Sequence, residues 1–269
     1  MNRKGPLLVL DTATGRNGAM VHDGAPLAVR LSLGDRPRSN EIFALARLAL
    51  ADAGVAPADL AAVAVTIGPG SFTGLRVGYG LAAGFADALG LPLLGVPTLT
   101  AMAVGSGVTA ATFAGTLVPL LTARKGELYA ALFTVAPYAG SEGRPPLASL
   151  PSSSPTPRRP LETAHCHRLT PDFAPTPDEL AARLVGPVLF VGDGFDPAGP
   201  LAAKGKPLEG FGATGERSAL MGVALLAADA LADGREGEYP PDLVYVRRSQ
   251  AQINWDRLHP QPSQAGGIA

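Results

Sequence analysis

The chain has 269 residues, a formal net charge of −1, and a composition that is 46% hydrophobic and 17% charged. That suits one large or two modest packed domains, excludes a disordered chain, and leaves no basic excess to act as an electrostatic footprint for nucleic acid. The single cysteine, Cys166, excludes an internal disulfide framework and fits a reducing compartment. No apolar run approaches the roughly 20 residues of a membrane span, and the start lacks a basic-then-apolar signal pattern, so a soluble, cytoplasmic protein is expected.

Taken in chain order, residues 6–11, 18–22 and 25–33 read as three antiparallel strands, with Asp23-Gly24 as a turn signal. A helix is expected over 39–53, with Ser39 or Asn40 as N-cap and Gly54 as stop. The continuous apolar run 60–67 predicts a strand buried on both faces, followed by a helix over 73–89 and a short strand over 93–96. This β-β-β-α-β-α-β order resembles the mixed-sheet unit of the actin, sugar-kinase and heat-shock ATPase fold. The second half repeats it less cleanly: strands over 116–121 and 127–135 around the Arg124-Lys125-Gly126 turn, a mobile loop over 136–160, and a strand over 161–169. A helix over 176–184, a strand over 188–191, a helix over 218–231 and a last strand over 243–246 follow, and then a poorly ordered tail. The expected division is 1–104, 105–216 and 217–269, the last beginning with a helix that packs back toward the first domain.

The most informative segment is Gly68-Pro69-Gly70-Ser71-Phe72-Thr73-Gly74-Leu75-Arg76, between a buried strand and a helix. Ser71 or Thr73 can cap that helix, and its free N–H groups offer an anion or nucleotide site built from Gly68, Gly70, Ser71 and Thr73. A tight connection without ligand explains the same spacing, and the segment is neither a Walker loop nor a dinucleotide-binding turn. Inside the helix lie Gly74, Gly78, Gly80 and Gly84, each costing about 1 kcal/mol relative to alanine. Gly74 with Gly78, and Gly80 with Gly84, form two smooth i,i+4 ridges that neighbouring backbone can approach on two sides. With Leu75, Tyr79, Leu81 and Phe85, the helix is apolar nearly all round. In the preceding helix Ile42 and Phe43 belong to a core stripe, whereas Leu45 and Leu48 fall outside it. Either another part of the chain or a protein partner covers the excess. The candidate interface is Ile42, Phe43, Leu45, Leu48, Gly74, Gly78, Tyr79, Leu81 and Phe85.

Catalytic equipment is thin. Asp11-Thr12-Ala13-Thr14 places alanine where backbone access to a phosphate calls for glycine, leaving Asp11 to coordinate a hydrated metal or to cap the hairpin. No helical metal-ligand pair occurs, His165-Cys166-His167 reads as an exposed strand, and Ser71 has no base partner. Gly192 and Gly194 flank Asp193 after a strand, a place for nucleotide or for an ordinary turn.

Val9-Leu10-Asp11-Thr12-Ala13-Thr14, the Gly68–Arg76 segment and Gly95-Val96-Pro97-Thr98-Leu99 resemble the TsaB/YeaZ family, the dimerization subunits of the bacterial tRNA threonylcarbamoyladenosine complex. The resemblance is strong over residues 7–104 and looser beyond, at residues 123–129 and 243–247. Three departures are Arg38-Ser39 for the family's His-Ser, Thr122 for its Asp, and the long segment 136–160. The resemblance implies an actin-like two-domain protein with a degenerate nucleotide site. It implies no catalytic residue, metal or cofactor, with at most weak ATP or ADP binding. It implies pairing through the two N-domain helices with a catalytic threonylcarbamoyl transferase paralogue, to which a small ATPase is added. Contact with tRNA would come only through that complex, and the chain would form a homodimer when alone. A glycoprotease-like enzyme, an ATP-dependent kinase and a nucleotide-binding module are the alternatives.

Overall fold

The computed structural model describes residues 5–32, 41–123, 126–135, 166–209, 215–238 and 240–246. Ser39, Asn40, Arg124, Lys125, His165, the segment 136–160 and the tail after 250, on which expectations were placed, lie outside these residues.

The first sheet has the order β3-β2-β1-β4-β5. β1 (Leu7–Asp11), β2 (Gly18–His22) and β3 (Pro26–Leu31) form the antiparallel meander, and β4 (Ala62–Thr66) and β5 (Leu93–Val96) add in parallel. β1, β2 and β4 are buried at every position, which is why they read as unbroken apolar runs. The alternation within each strand then sorts side chains to two layers. Leu8, Leu10, Val63 and Val65 face α1 (Glu41–Ala53) and α2 (Phe72–Leu89). Leu7, Val9, Ala62 and Ala64 face α5 (Gly215–Ala232). Gly54 and Gly90 end α1 and α2 in left-handed conformations.

Between β5 and the second sheet runs α3 (Thr98–Gly105), which the sequence pattern does not announce; residue 104, where the first domain was expected to end, lies inside it. Every residue of α3 except Val104 is buried, so it has no polar face to give a helical period. It crosses α5 backbone to backbone. A Cβ on Gly222 would sit 1.8 Å from the Ala101 carbonyl oxygen, and one on Gly105 would sit 2.0 Å from that of Ser218.

The second sheet has the order β11-β10-β6-β8-β9, with β7 also paired to β6. Its strands are β6 (Gly115–Thr122), β7 (Leu128–Ala130), β8 (Phe133–Val135), β9 (Cys166–Arg168), β10 (Val188–Val191) and β11 (Lys206–Pro207). The single strand expected over 127–135 is split into β7 and β8, which keep one register along β6 (Leu120 opposite Ala130, Leu117 opposite Phe133). The break falls opposite Pro119, whose ring nitrogen has no proton to give. Leu132 turns its N–H to Thr170 Oγ1 instead. α4 (Pro177–Arg183) begins as its sequence indicates, with a capping box between Thr176 and Glu179.

Residues 243–246 form no strand. A single hydrogen bond joins Val244 N–H to the Ile67 carbonyl, and the next residue, Gly68, turns away with φ of 112°. A ladder cannot continue past that turn. No helix among the described residues is long and apolar enough to cross a membrane.

Candidate functional site

The site is built on the turn after β1 and the start of α2. Asp11 is fully buried and accepts hydrogen bonds from Ala13 N–H (3.0 Å), Thr66 Oγ1 (2.7 Å) and Thr14 Oγ1. It therefore closes the β1–β2 turn and fastens it to β4. Burial pushes its carboxyl up to about 6 against the opposing effect of those bonds, with a smaller push from Glu216. Beyond Asp11, Thr12 Oγ1 donates to the Gly74 carbonyl (2.7 Å), and the Ala13 carbonyl accepts from Ser71 N–H (2.9 Å). The turn thus lies directly on α2. Cβ atoms on Gly70, Gly74 and Gly78 would come within 2.3 Å of Ala13 O, 2.0 Å of Thr12 O and 2.1 Å of Thr12 Oγ1 respectively. Ser71 caps the helix by accepting from Gly74 N–H, whereas Thr73 is exposed and makes no cap.

These contacts decide the two glycine ridges. Gly74 and Gly78, expected at a partner interface, are consumed by the chain's own turn. Ile42 is likewise buried, packed with Leu8 and Val63 beneath α1. Sequence periodicity cannot reveal this, because the turn that fills the ridge lies some sixty residues away. A methyl group added at Gly80 or Gly84 would meet nothing within 4 Å.

The remaining candidates form an exposed face. Phe43 and Leu48 are each 50% exposed on α1, and Phe43 stacks on Phe85 of α2 with ring centroids 6.2 Å apart. Leu45, Tyr79, Leu81 and Phe85 are half-buried beside them. At the start of α2, the Arg76 guanidinium lies 4.0 Å from the centroid of the exposed Phe72 ring and reaches the Tyr245 hydroxyl at 3.4 Å. Nothing in the sequence spacing linked Tyr245 to Phe72. The link arises because residues 240–244 cross the ends of β4 and β5 closely enough to require Gly68 and Gly95.

Gly192 and Gly194 sit at the end of β10, away from that face. Gly192 has φ of 114°, and a Cβ there would meet the Leu120 carbonyl at 2.1 Å, so the turn is fixed by packing. Asp193 between them accepts from Thr122 N–H (2.9 Å), and its carbonyl accepts from Thr122 Oγ1 (3.2 Å). Its carboxylate faces Gly15 of the β1–β2 turn. The nearby Arg16 is bonded to the Ser32 carbonyl and lies 3.8 Å from Glu216. Among the described residues no group of three or more His, Cys, Asp or Glu side chains could hold a metal ion.

A buried pair that sequence reasoning missed joins the two sheets' supporting elements. Arg168 bonds Asp172, Thr170 O (2.7 Å) and Thr100 Oγ1 of α3 (2.7 Å), while burial pushes the Asp172 carboxyl upward.

The family profile described as TsaD, tRNA N6-adenosine threonylcarbamoyltransferase, matches residues 33–138. The tRNA threonylcarbamoyladenosine biosynthesis protein TsaB of Escherichia coli is 34% identical over 127 residues, 46% of this chain and 52% of that protein. The protein of the same name from Bacillus subtilis is 30% identical over 128 residues, 47% of this chain and 54% of that protein. An uncharacterized Mycobacterium tuberculosis protein is 39% identical over 126 residues, 46% of this chain and 56% of that protein. The chain thus spans about half the length of the curated relatives it matches. The structure of YeaZ from Pseudomonas aeruginosa superposes with a TM-score of 0.61 at 21% identity, covering 90% of this chain and 99% of that one. The fold is thus the mixed α/β arrangement of that YeaZ structure, with the β-β-β-α-β-α-β order expected from the sequence.

Proposed function

We propose that the chain belongs with the TsaB/YeaZ proteins it resembles and acts in tRNA threonylcarbamoyladenosine formation as a non-catalytic scaffold. In this reading it docks through α1 and α2 onto a catalytic threonylcarbamoyl transferase paralogue, and a small ATPase joins the pair. It pairs with itself when that partner is absent. The observation that carries the reading is the apolar face of Phe43, Leu48 and Phe85, beside the open backbone of Gly80 and Gly84. Such a face is costly to leave in water and fits a protein surface of like character. With a net charge of −1, contact with tRNA falls to the partners. The Ser71 cap on Gly74 N–H and the Ser71 N–H bond to the Ala13 carbonyl leave fewer free donors for an anion at the α2 start.

The test is mass spectrometry of tRNA nucleosides from cells depleted of the chain and supplied with either the wild type or Leu48→Asp. Depletion is expected to lower threonylcarbamoyladenosine; the wild type restores it and Leu48→Asp, present at equal abundance, does not. Unchanged modification on depletion rejects the pathway, and full restoration by Leu48→Asp rejects the surface.

A further inference from the structure

The turn after β1 is held from its far side too, by contacts remote from the exposed α1–α2 face. Arg16 gives its Nε–H to the Ser32 carbonyl at 2.9 Å. Asn17 exchanges bonds with the same residue, its N–H to Ser32 Oγ (3.1 Å) and Ser32 N–H to its carbonyl (2.8 Å). With Nε so engaged, the Arg16 guanidinium brings Nη1 to 3.8 Å from Glu216 Oε1. Glu216 stands in the first turn of α5, whose start is wedged between the two sheets. A Cβ on Gly215 would lie 3.5 Å from both Gly192 Cα and Leu121 Cδ2. Beside it the Asp193 carboxylate, anchored to the second sheet by Thr122 N–H, rests on Gly15, where a Cβ would be 3.4 Å from Oδ2.

The two sides of the turn differ in kind. Toward α2 the contacts are hydrogen bonds from Thr12 and to Ala13, packed so closely that Gly70, Gly74 and Gly78 admit no methyl group. Such packing transmits a displacement instead of absorbing it. Toward the second sheet there is one long ion pair and one van der Waals contact, and contacts of that sort yield first. Thr14 ties the two halves of the turn together, its hydroxyl bonded to Asp11 and lying 3.4 Å from the Arg16 carbonyl.

We infer that Arg16 and Glu216 form a clasp between the two sheets, and that its opening is felt at the start of α2. No hydrogen bond or ion pair runs from either residue to α2 among the described residues, so the effect must pass through the turn. The path is continuous: Glu216 holds Arg16, Arg16 holds one end of the turn, and Thr12 and Ala13 at the other end hold Gly74 and Ser71. The purpose of such a device, to make the support of a docking helix depend on how the second sheet sits, rests on the proposed use of α1 and α2. The coupling itself needs no partner.

The test is hydrogen exchange read by mass spectrometry on the full chain, comparing the wild type with Arg16→Met, Arg16→Lys, Glu216→Gln and the double variant Arg16→Met with Glu216→Gln. Arg16→Met and Glu216→Gln are each expected to speed exchange about threefold or more in peptides covering residues 71–78 and 192–195, as well as in the turn, while α4 is unchanged. The double variant is expected to exchange no faster than either single, because both remove the same contact. Arg16→Lys, which keeps the charge, is expected to stay closer to the wild type than Arg16→Met at residues 71–78. Faster exchange confined to residues 12–18 and 32 makes Arg16 a local tie and overturns the inference. Additive effects in the double variant, or a silent Glu216→Gln beside an active Arg16→Met, overturn it as well. Neither tRNA modification nor docking enters these measurements, so failure of the proposed function leaves the coupling standing, and failure of the coupling leaves the proposed function standing.

Discussion

Gly78 and Gly80 are two residues apart in one helix, and the structure gives the same substitution opposite signs at the two positions. Alanine in a helix interior is favoured over glycine by about 1 kcal/mol. At Gly80 nothing lies within 4 Å of the added methyl, so Gly80→Ala is expected to stabilise by roughly that 1 kcal/mol. At Gly78 the methyl would fall 2.1 Å from Thr12 Oγ1 and 3.1 Å from Thr12 Cβ and Cγ2. Thr12 is 2% exposed and its hydroxyl is bonded to the Gly74 carbonyl, so it cannot swing away freely. Displacing that hydroxyl forfeits a hydrogen bond worth about 1 kcal/mol, and overpacking a closed site costs about 1–3 kcal/mol more. After the propensity gain, Gly78→Ala is expected to destabilise by about 1–3 kcal/mol, a separation of about 2–4 kcal/mol between the two variants. Urea denaturation followed by circular dichroism, at one low protein concentration to limit any contribution from association, reads the difference as opposite shifts of the midpoint. Equal shifts of the same sign would show that the β1–β2 turn does not rest on α2.

Two further substitutions probe buried charge. Asp11 titrates at about 6 in the fold against an ordinary 3.8, so the folded chain keeps its proton over a window in which the unfolded chain has lost it. The stability it contributes is full below about pH 4 and lost as pH rises through 6, by roughly 3 kcal/mol at most. Asp11→Asn is expected to remove that slope from denaturation midpoints measured between pH 4 and 6, and an undiminished slope would assign it elsewhere. Arg168→Met leaves the buried Asp172 without its cation and is expected to cost about 3–5 kcal/mol in thermal denaturation. Arg168→Met with Asp172→Leu should recover a large part of it, and no recovery would mean that the bonds to Thr100 and Thr170 dominate.

The fold was legible wherever local chemistry marks both ends of an element. The strands at 18–22, 93–96 and 188–191 run between turn residues and were placed to the residue, and Thr176 announces α4 through its reciprocal cap. α3 was not legible, because a helix buried on every side has no hydrophobic period. The segment 243–246 has the β-branched and aromatic content of a strand, yet its one backbone bond ends at Gly68, which no reading of 243–246 alone reveals. The site divides the same way. An apolar excess on α1 and α2 is a property of local sequence, and Leu48 is exposed as that excess implied, whereas Phe43, expected in the core stripe of α1, is equally exposed because it turns outward onto Phe85. Which glycines face inward depends on Thr12 and Ala13, which only the tertiary fold brings to the helix.

The same turn bears on the reading of the α2 start as an anion site. A phosphate held at a helix start needs backbone N–H groups that point outward and are free. Here Ser71 N–H is given to the Ala13 carbonyl, Gly74 N–H to Ser71 Oγ, Ala13 N–H to Asp11, and Gly68 N–H to Thr98 Oγ1 at 3.1 Å. Each of these four donors is spent on holding the β1–β2 turn, α2 and α3 in register. Asp193 and Glu216 lie near the turn, and Arg16 is already engaged. A polyphosphate that used these four donors would have to displace internal bonds while adding negative charge beside carboxylates, and both terms oppose it. What the bonds do instead is fix α2 against the sheet, so that its outer stripe of Arg76, Gly80, Gly84 and Asp87 is presented on a rigid support. A docking surface whose helix is already immobilised loses little conformational entropy on binding, so the donors withheld from a ligand favour an interface.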